Sequence, residues 1–150
     1  CALPISARNY GDAMSVKVDL ADIATHVSDR GAGYIVTTGP DGRPHVTQEV
    51  VEVSGSVLRA PAGRKTCRNI AAQPLVAVMW PPKAAGDYSL IVDGSASVVD
   101  LDDEGKGWAE IDATHAILHR NAEGSGNTFI NGADNRSWFM QVGEPFARKT

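Results

Sequence analysis

The chain has no stretch of the eighteen or so consecutive apolar residues that a membrane-spanning helix needs. Cysteine is scarce. Cys1 and Cys67 make neither a disulfide framework nor a zinc-ligand spacing, which suits a reducing compartment and sets the expectation of a cytoplasmic protein. Aromatic residues are few, at 6%. An excess of basic residues is missing too: the formal net charge is −4. Nucleic acid is therefore not the default partner, since phosphate backbones want a basic surface. There is no internal repeat. With 150 residues, 43% hydrophobic and 21% charged, the chain suits one ordered domain with its own core. Met14-Ser15 reads as a natural start, which makes residues 1–13 an N-terminal extension and 14–150 the domain.

One local absence matters more. No acidic residue lies between Glu52 and Asp87, while Arg59, Arg64, Lys65, Arg68 and Lys83 do, a charge of +5. The remainder holds nine basic and eighteen acidic residues, a charge of −9. Such a block suggests an anionic small molecule rather than a polymer. A solvated basic helix face gives the same composition.

The pattern predicts a mainly β protein. Leu20, Ile23, Ala24 and Val27 make an apolar stripe, so Asp19–Arg30 is expected as a helix capped by Asp19 and stopped at Gly31. Strands are expected at Tyr34–Thr38, at His45–Val53 after the Gly39–Gly42 turn, and at Ser56–Ala60, with Pro61 ending the last. Arg64–Ala72 reads as a short helix ended by Gln73-Pro74. Leu75–Trp80 reads as a strand buried on both faces, and Tyr88–Val99 as another with Gly94 a bulge or close-approach point. Trp108, Ile111, His115 and Leu118 sit at helical spacing, so Glu110–His119 is expected as a helix with Asp102-Asp103-Glu104 capping it. Residues 120–136 read as a long loop, a lid or a surface excursion, and Ser137–Val142 as a last strand. About six strands joined by tight turns favour an antiparallel barrel or sandwich.

The best chemical signal is Arg59-Ala60-Pro61-Ala62-Gly63-Arg64-Lys65-Thr66. A strand ends, the chain turns, and a helix opens with two cations and a hydroxyl. The first N–H groups of a helix lack internal partners and favour an anion. Arg64 can grip phosphate oxygens with paired donors, Lys65 adds a compact charge, Thr66 a hydroxyl, and Arg59 can close the far side. The segment is a phosphate cradle in residue type, or a surface helix start with scattered cations. It is not a Walker A loop, because Leu58 stands at the first glycine position and Arg64 separates Gly63 from Lys65.

Tyr34–Thr38, Pro40-Asp41-Gly42-Arg43-Pro44-His45-Val46, Gly63-Arg64-Lys65, Ala71–Val78 and Val92-Asp93-Gly94-Ser95-Ala96 together resemble the pyridoxamine 5′-phosphate oxidase-like superfamily. These are the FMN-binding split β-barrels, which include reductases dependent on the deazaflavin F420. The resemblance spans about residues 18–100. It implies an antiparallel split β-barrel, a homodimer with FMN or F420 at the subunit interface, and hydride transfer to or from a small organic substrate. The cofactor supplies the chemistry, so no catalytic side chain is required. The family's Arg-Lys pair matches Arg64-Lys65. The segment beside the flavin ring falls near Thr47–Val50, with Thr47 and Gln48 as contacts, and the strand-closing pair falls at Leu58-Arg59. A glutamine donated by the partner aligns with Ser89, a departure that weakens contacts to the ring. The Arg- and Trp-rich ending of true pyridoxamine phosphate oxidases is not reproduced by Arg136, Trp138 and Arg148, which argues against pyridoxine phosphate as substrate. The alternative on the same fold is a non-catalytic protein that sequesters a cofactor or haem.

Other signals are weaker. His115 and His119, four apart on the expected helix, lack a nearby third ligand, so no metal site is expected. Cys67, in the first turns of a cationic helix, is either a stabilised thiolate or, better, a small buried residue. Trp80 is expected in the core, and Trp138 as the better candidate for stacking on a ring.

Overall fold

The computed structural model describes residues 13–120. Eight strands run through them: β1 (Ser15–Lys17), β2 (Gly33–Thr38), β3 (Pro44–Glu49), β4 (Glu52–Ser54), β5 (Val57–Ala62), β6 (Leu75–Trp80), β7 (Ser89–Val99) and β8 (Gly107–His119). The helices are α1 (Ile23–Val27), entered through a 3-10 turn at Leu20–Asp22, and α2 (Arg64–Ala72). All pairings are antiparallel, in the spatial order β3-β2-β6-β7-β8-β5-β4, with β1 also on β8. β8 pairs with β7 along its length. Its other edge is divided, with β5 on Gly107–Asp112 and β1 on Ile117–His119. The architecture is an antiparallel split β-barrel, as expected.

Strand alternation builds the core. Ile35, Leu58, Val78, Trp80, Leu90, Val92 and Ile111 point inward and are fully buried, joined by Ile23 of α1. Each such side chain contributes about 1.5–3 kcal/mol when removed from water. α2 closes one side of this core with Cys67 and Ile70, while Arg64, Lys65 and Arg68 face out. Its bounds agree with the sequence, because Gly63 and Gln73-Pro74 punctuate both ends.

The expected helix over Glu110–His119 is a correction: those residues are the second half of β8. The cause is a bulge. Asp93 pairs with His115 and Gly94 with Ala113, so Thr114 is the extra residue. Before it Ala109, Ile111 and Ala113 point inward, and after it Ala116 and Leu118 do. The one-residue slip turns a period of two into a spacing that imitates a helix. Asp102-Asp103-Glu104 consequently caps no helix. It forms a turn in which Asp102 Oδ1 accepts from the backbone N–H groups of Glu104 and Lys106 at 2.8 and 2.9 Å. Gly94 is a close-approach point, as expected: a Cβ there would lie 2.6 Å from the Asp112 carbonyl oxygen.

Smaller differences have local reasons. The helix expected over Asp19–Arg30 is a 3-10 turn followed by five α-helical residues, with Asp19 Oδ1 accepting from Ala21 N–H at 3.1 Å as its cap. The return strand divides into β3 and β4 around Val50 and Val51, the first exposed and the second buried. Pro61 does not end β5, because β4 pairs only with Val57–Arg59 and leaves the edge beyond unpaired. The expected loop lid beyond Arg120, the strand at 137–142 and the roles of Trp138, Arg136 and Arg148 lie outside the described residues, as does the extension before Ala13.

Candidate functional site

β5 delivers its last residues to the start of α2, and the turn between β7 and β8 folds against both. Arg59 sits on β5 with its guanidinium carbon 4.8 Å from the centre of the Trp108 indole. Its Nη2 donates to Asp100 Oδ2 at 2.5 Å. Its Nε–H is buried and has no partner. Arg64, the first residue of α2, donates from Nε to the Glu104 carbonyl at 2.9 Å. Lys65 beside it is exposed and forms no ion pair among the described residues. No side chain caps α2, since its N-cap is Gly63. The uncapped N–H groups and two cations therefore make one mouth at the start of α2, a donor set that fits an anion, and the turn that holds Arg64 also holds Arg59 through Asp100.

Thr66 is different. It is 2% exposed, so its side chain lies beneath the helix start rather than at that mouth. Cys67 is buried and donates from Sγ to the Ala62 carbonyl at 3.3 Å. Burial pushes its thiol pKa up, with a backbone hydrogen bond from Gly107 pulling the other way. The buried reading of Cys67 is the correct one. Trp80 is fully buried, as expected.

The other expected contacts fall elsewhere within one chain. Thr47 and Gln48 pair with Ile35 and Tyr34 on β3, the edge strand of the sheet. Gln48 lines a groove of about 370 Å³ with Tyr34, Arg30, Pro82, Asp29 and Lys83. Its wall is fixed by Arg30, whose guanidinium donates to the carbonyls of His26, Pro81 and Tyr88 at 3.0, 3.0 and 2.9 Å, and by an ion pair between Lys83 and Asp29. Ser89 opens β7 opposite His119, while the far end of that strand leads to Asp100. The seven expected contact residues thus form three groups in one chain: Arg59 with Arg64, Lys65 and Thr66; Thr47 with Gln48; and Ser89.

Sequence reasoning missed Asp100, Glu104 and Trp108 as neighbours of the cations. A signal existed. Leu101–Gly107 holds Asx and glycine turn chemistry between two strand-like segments, but the helical reading of residues 110–119 hid the hairpin. His115 and His119 lie on β8, where His115 Nδ1 is 3.5 Å from Asp93 Oδ2 and His119 Nδ1 bonds the Ser15 hydroxyl at 3.0 Å. Among the described residues no group of three or more His, Cys, Asp or Glu is placed to hold a metal ion. No described helix is long and apolar enough to cross a membrane.

Comparison with known proteins agrees with this architecture. Uncharacterized proteins of Mycobacterium bovis and Mycobacterium tuberculosis are 30% identical to the chain, covering 77% of it and 89% of their own length. An F420 reductase has a similar fold, with a TM-score of 0.55 at 21% identity over 62% of this chain and 94% of that one. HutZ, the haem storage protein of Vibrio cholerae, follows at 0.53 and 16% identity, over 67% and 94%. At those identities the two structures speak for the fold alone. The family model for pyridoxamine 5′-phosphate oxidase matches residues 21–137, and with the split barrel and its element order this places the chain in the pyridoxamine 5′-phosphate oxidase family.

Proposed function

We propose that the protein is a homodimeric, cytoplasmic oxidoreductase that moves hydride between FMN or F420 and a small organic substrate. The observation that carries this reading is the uncapped start of α2 opened by the exposed cations Arg64 and Lys65, with Arg59 tied through Asp100 to the same turn that holds Arg64. A phosphate oxygen is an acceptor of the right kind for these donors. Arg64 and Lys65 would hold the phosphate, Arg59 would close its far side, and Thr66 would brace the helix start from beneath. Thr47 and Gln48 would border the ring, and Ser89 would reach it from the partner subunit. Bound flavin or deazaflavin supplies the hydride chemistry, while the protein binds, orients and excludes water.

The outer sheet face supports a second copy as the partner. Leu75 and Val46 are 66% and 54% exposed. Register sets Val46, Val36 and Ala77 in one row that continues into Asp93 and His115, and Tyr34, Met79, Ile91 and Ile117 in the next, between Gln48 and Lys17. A dimer through this face would bring β3 of one copy toward the other chain, which a shared site requires. Titration of the purified protein with FMN and with F420, read by quenching of ligand fluorescence, tests the reading. Saturable micromolar binding of at least one, followed by turnover with an electron donor, is expected. Binding of neither ends it.

A second reading, haem sequestration without catalysis, draws on His115. Its pairing with Asp93 leaves Nε2 for a metal, and a carboxylate behind an imidazole strengthens a ligand. His115 also borders a groove of about 460 Å³ with Lys17, Asp19 and Thr114. A Soret band on adding haem, lost in His115→Ala, would favour this reading over the first.

A further inference from the structure

Arg59 and Arg64 rest on one turn that lies 41 and 40 residues beyond them in the chain. Asp100 takes a hydrogen bond and an ion pair from Arg59, and Glu104 takes the Arg64 Nε–H through its carbonyl. Between Asp100 and Lys106 this turn brings four carboxylates: Asp100, Asp102, Asp103 and Glu104. Two are already engaged away from the cradle. Asp102 accepts backbone N–H groups of its own turn, and Glu104 pairs with Lys106 at 2.9 Å. Asp100 is the carboxylate on a cradle cation. Its backbone is fixed in an unusual place, at φ 52°, the one positive φ outside glycine among the described residues.

We propose that Asp100 is a specificity-determining residue whose carboxylate disfavours a doubly charged phosphate monoester against a singly charged phosphodiester in this cradle. The inference rests on the proposed reading of the cradle. A ligand phosphate must share Arg59 with Asp100, and a fixed negative charge repels a dianion twice as strongly as a monoanion at the same distance. Of the two proposed cofactors, FMN ends in a monoester and F420 carries a diester. At the phosphate itself, Asp100 therefore favours the diester of the deazaflavin over the monoester of FMN.

The test uses the full-length protein and three probes that differ only at the phosphate: FMN, its monomethyl phosphate ester, and riboflavin. Affinities are read by fluorescence quenching at low salt and pH 8, well above the second ionisation of a phosphate monoester near about 6. Wild type should bind the ester at least as tightly as FMN, and both more tightly than riboflavin. Asp100→Asn should raise the FMN-to-ester affinity ratio about threefold, a gain that vanishes near about 1 M salt. Asn tolerates a positive φ, so this variant keeps the turn. Asp103→Asn makes the same charge change away from Arg59 and should shift the ratio less. An unchanged ratio in Asp100→Asn overturns the inference while leaving the cradle intact. Should wild type take F420 but no flavin, Asp100→Asn must gain FMN binding, and failure to do so also overturns it. Equal affinity for all three probes overturns instead the cradle reading beneath it.

Discussion

The Asn69 side-chain amide donates to the Thr37 hydroxyl at 3.0 Å, and both side chains are 1% exposed. This pair fastens α2 to β2 across the core, and it therefore fixes where Arg64 and Lys65 stand. A buried polar group that loses its partner pays its full desolvation cost. Asn69→Leu strands the Thr37 hydroxyl, and Thr37→Val strands the amide. Each should cost about 1–3 kcal/mol in urea unfolding. Because the two residues share one bond, the double variant should lose less than the sum of the singles. Additive losses would show that the bond contributes nothing as a pair.

Arg64 and Lys65 carry the phosphate in the proposed reading. Arg64→Ala with Lys65→Ala should weaken FMN or F420 binding by about 2–4 kcal/mol, below the about 3–6 kcal/mol of two charged hydrogen bonds because both side chains are exposed to solvent screening. Both side chains are exposed, so unfolding midpoints should hardly move. Riboflavin, which has no phosphate, should bind the double variant and wild type alike. An equal loss for riboflavin would mean that the substitutions disturb the fold and not a phosphate contact.

Gly94 sits at the bulge. A Cβ there would lie 2.6 Å from the Asp112 carbonyl oxygen and 2.7 Å from Ile111 Cγ2. The first neighbour is backbone of β8 and cannot rotate away. Gly94→Ala should destabilise by about 1–3 kcal/mol or more, as overpacking does. Gly31→Ala is the comparison, because a Cβ at Gly31 meets nothing within 4 Å. It should change stability by no more than about 0.5 kcal/mol. Thermal unfolding of the two variants separates a steric cost from a general cost of losing glycine.

How much of this was legible follows from where the determinants lie along the chain. α2 is legible to the residue, because Gly63 and Gln73-Pro74 are local signals for its two ends. The inward faces of β2 and β6 are legible from apolar runs, but β6 is not buried on both faces as expected: Val76, Val78 and Trp80 are buried, while Leu75 on the other face is 66% exposed and Ala77 and Met79 are only partly covered. β8 is not legible, since Thr114 displaces the alternation by one residue and only pairing with β7 reveals it. The cation cluster was legible as composition, but its electrostatics were not. The carboxylate that meets Arg59 stands 41 residues later in the chain, and no window of sequence brings the two together. The separation of Thr47 and Gln48 from Arg64 is likewise a matter of strand order, which turn chemistry alone does not give.

Cys67 offers a check by pH. Burial raises its thiol pKa above the ordinary value of 9.0, so the folded chain holds the proton more tightly than the unfolded chain does. The unfolded thiol then ionises first, and ionisation of the unfolded state draws the equilibrium toward unfolding. Stability from this group is complete below the unfolded pKa and is lost as pH rises through the folded one. In a Cys1→Ser background, urea unfolding should show stability falling above about pH 9, and Cys67→Ala should flatten that part of the profile. The native thiol should also react slowly with iodoacetamide at pH 8 and rapidly once unfolded. Fast labelling of the folded protein would restore the stabilised thiolate that the helix start alone suggests.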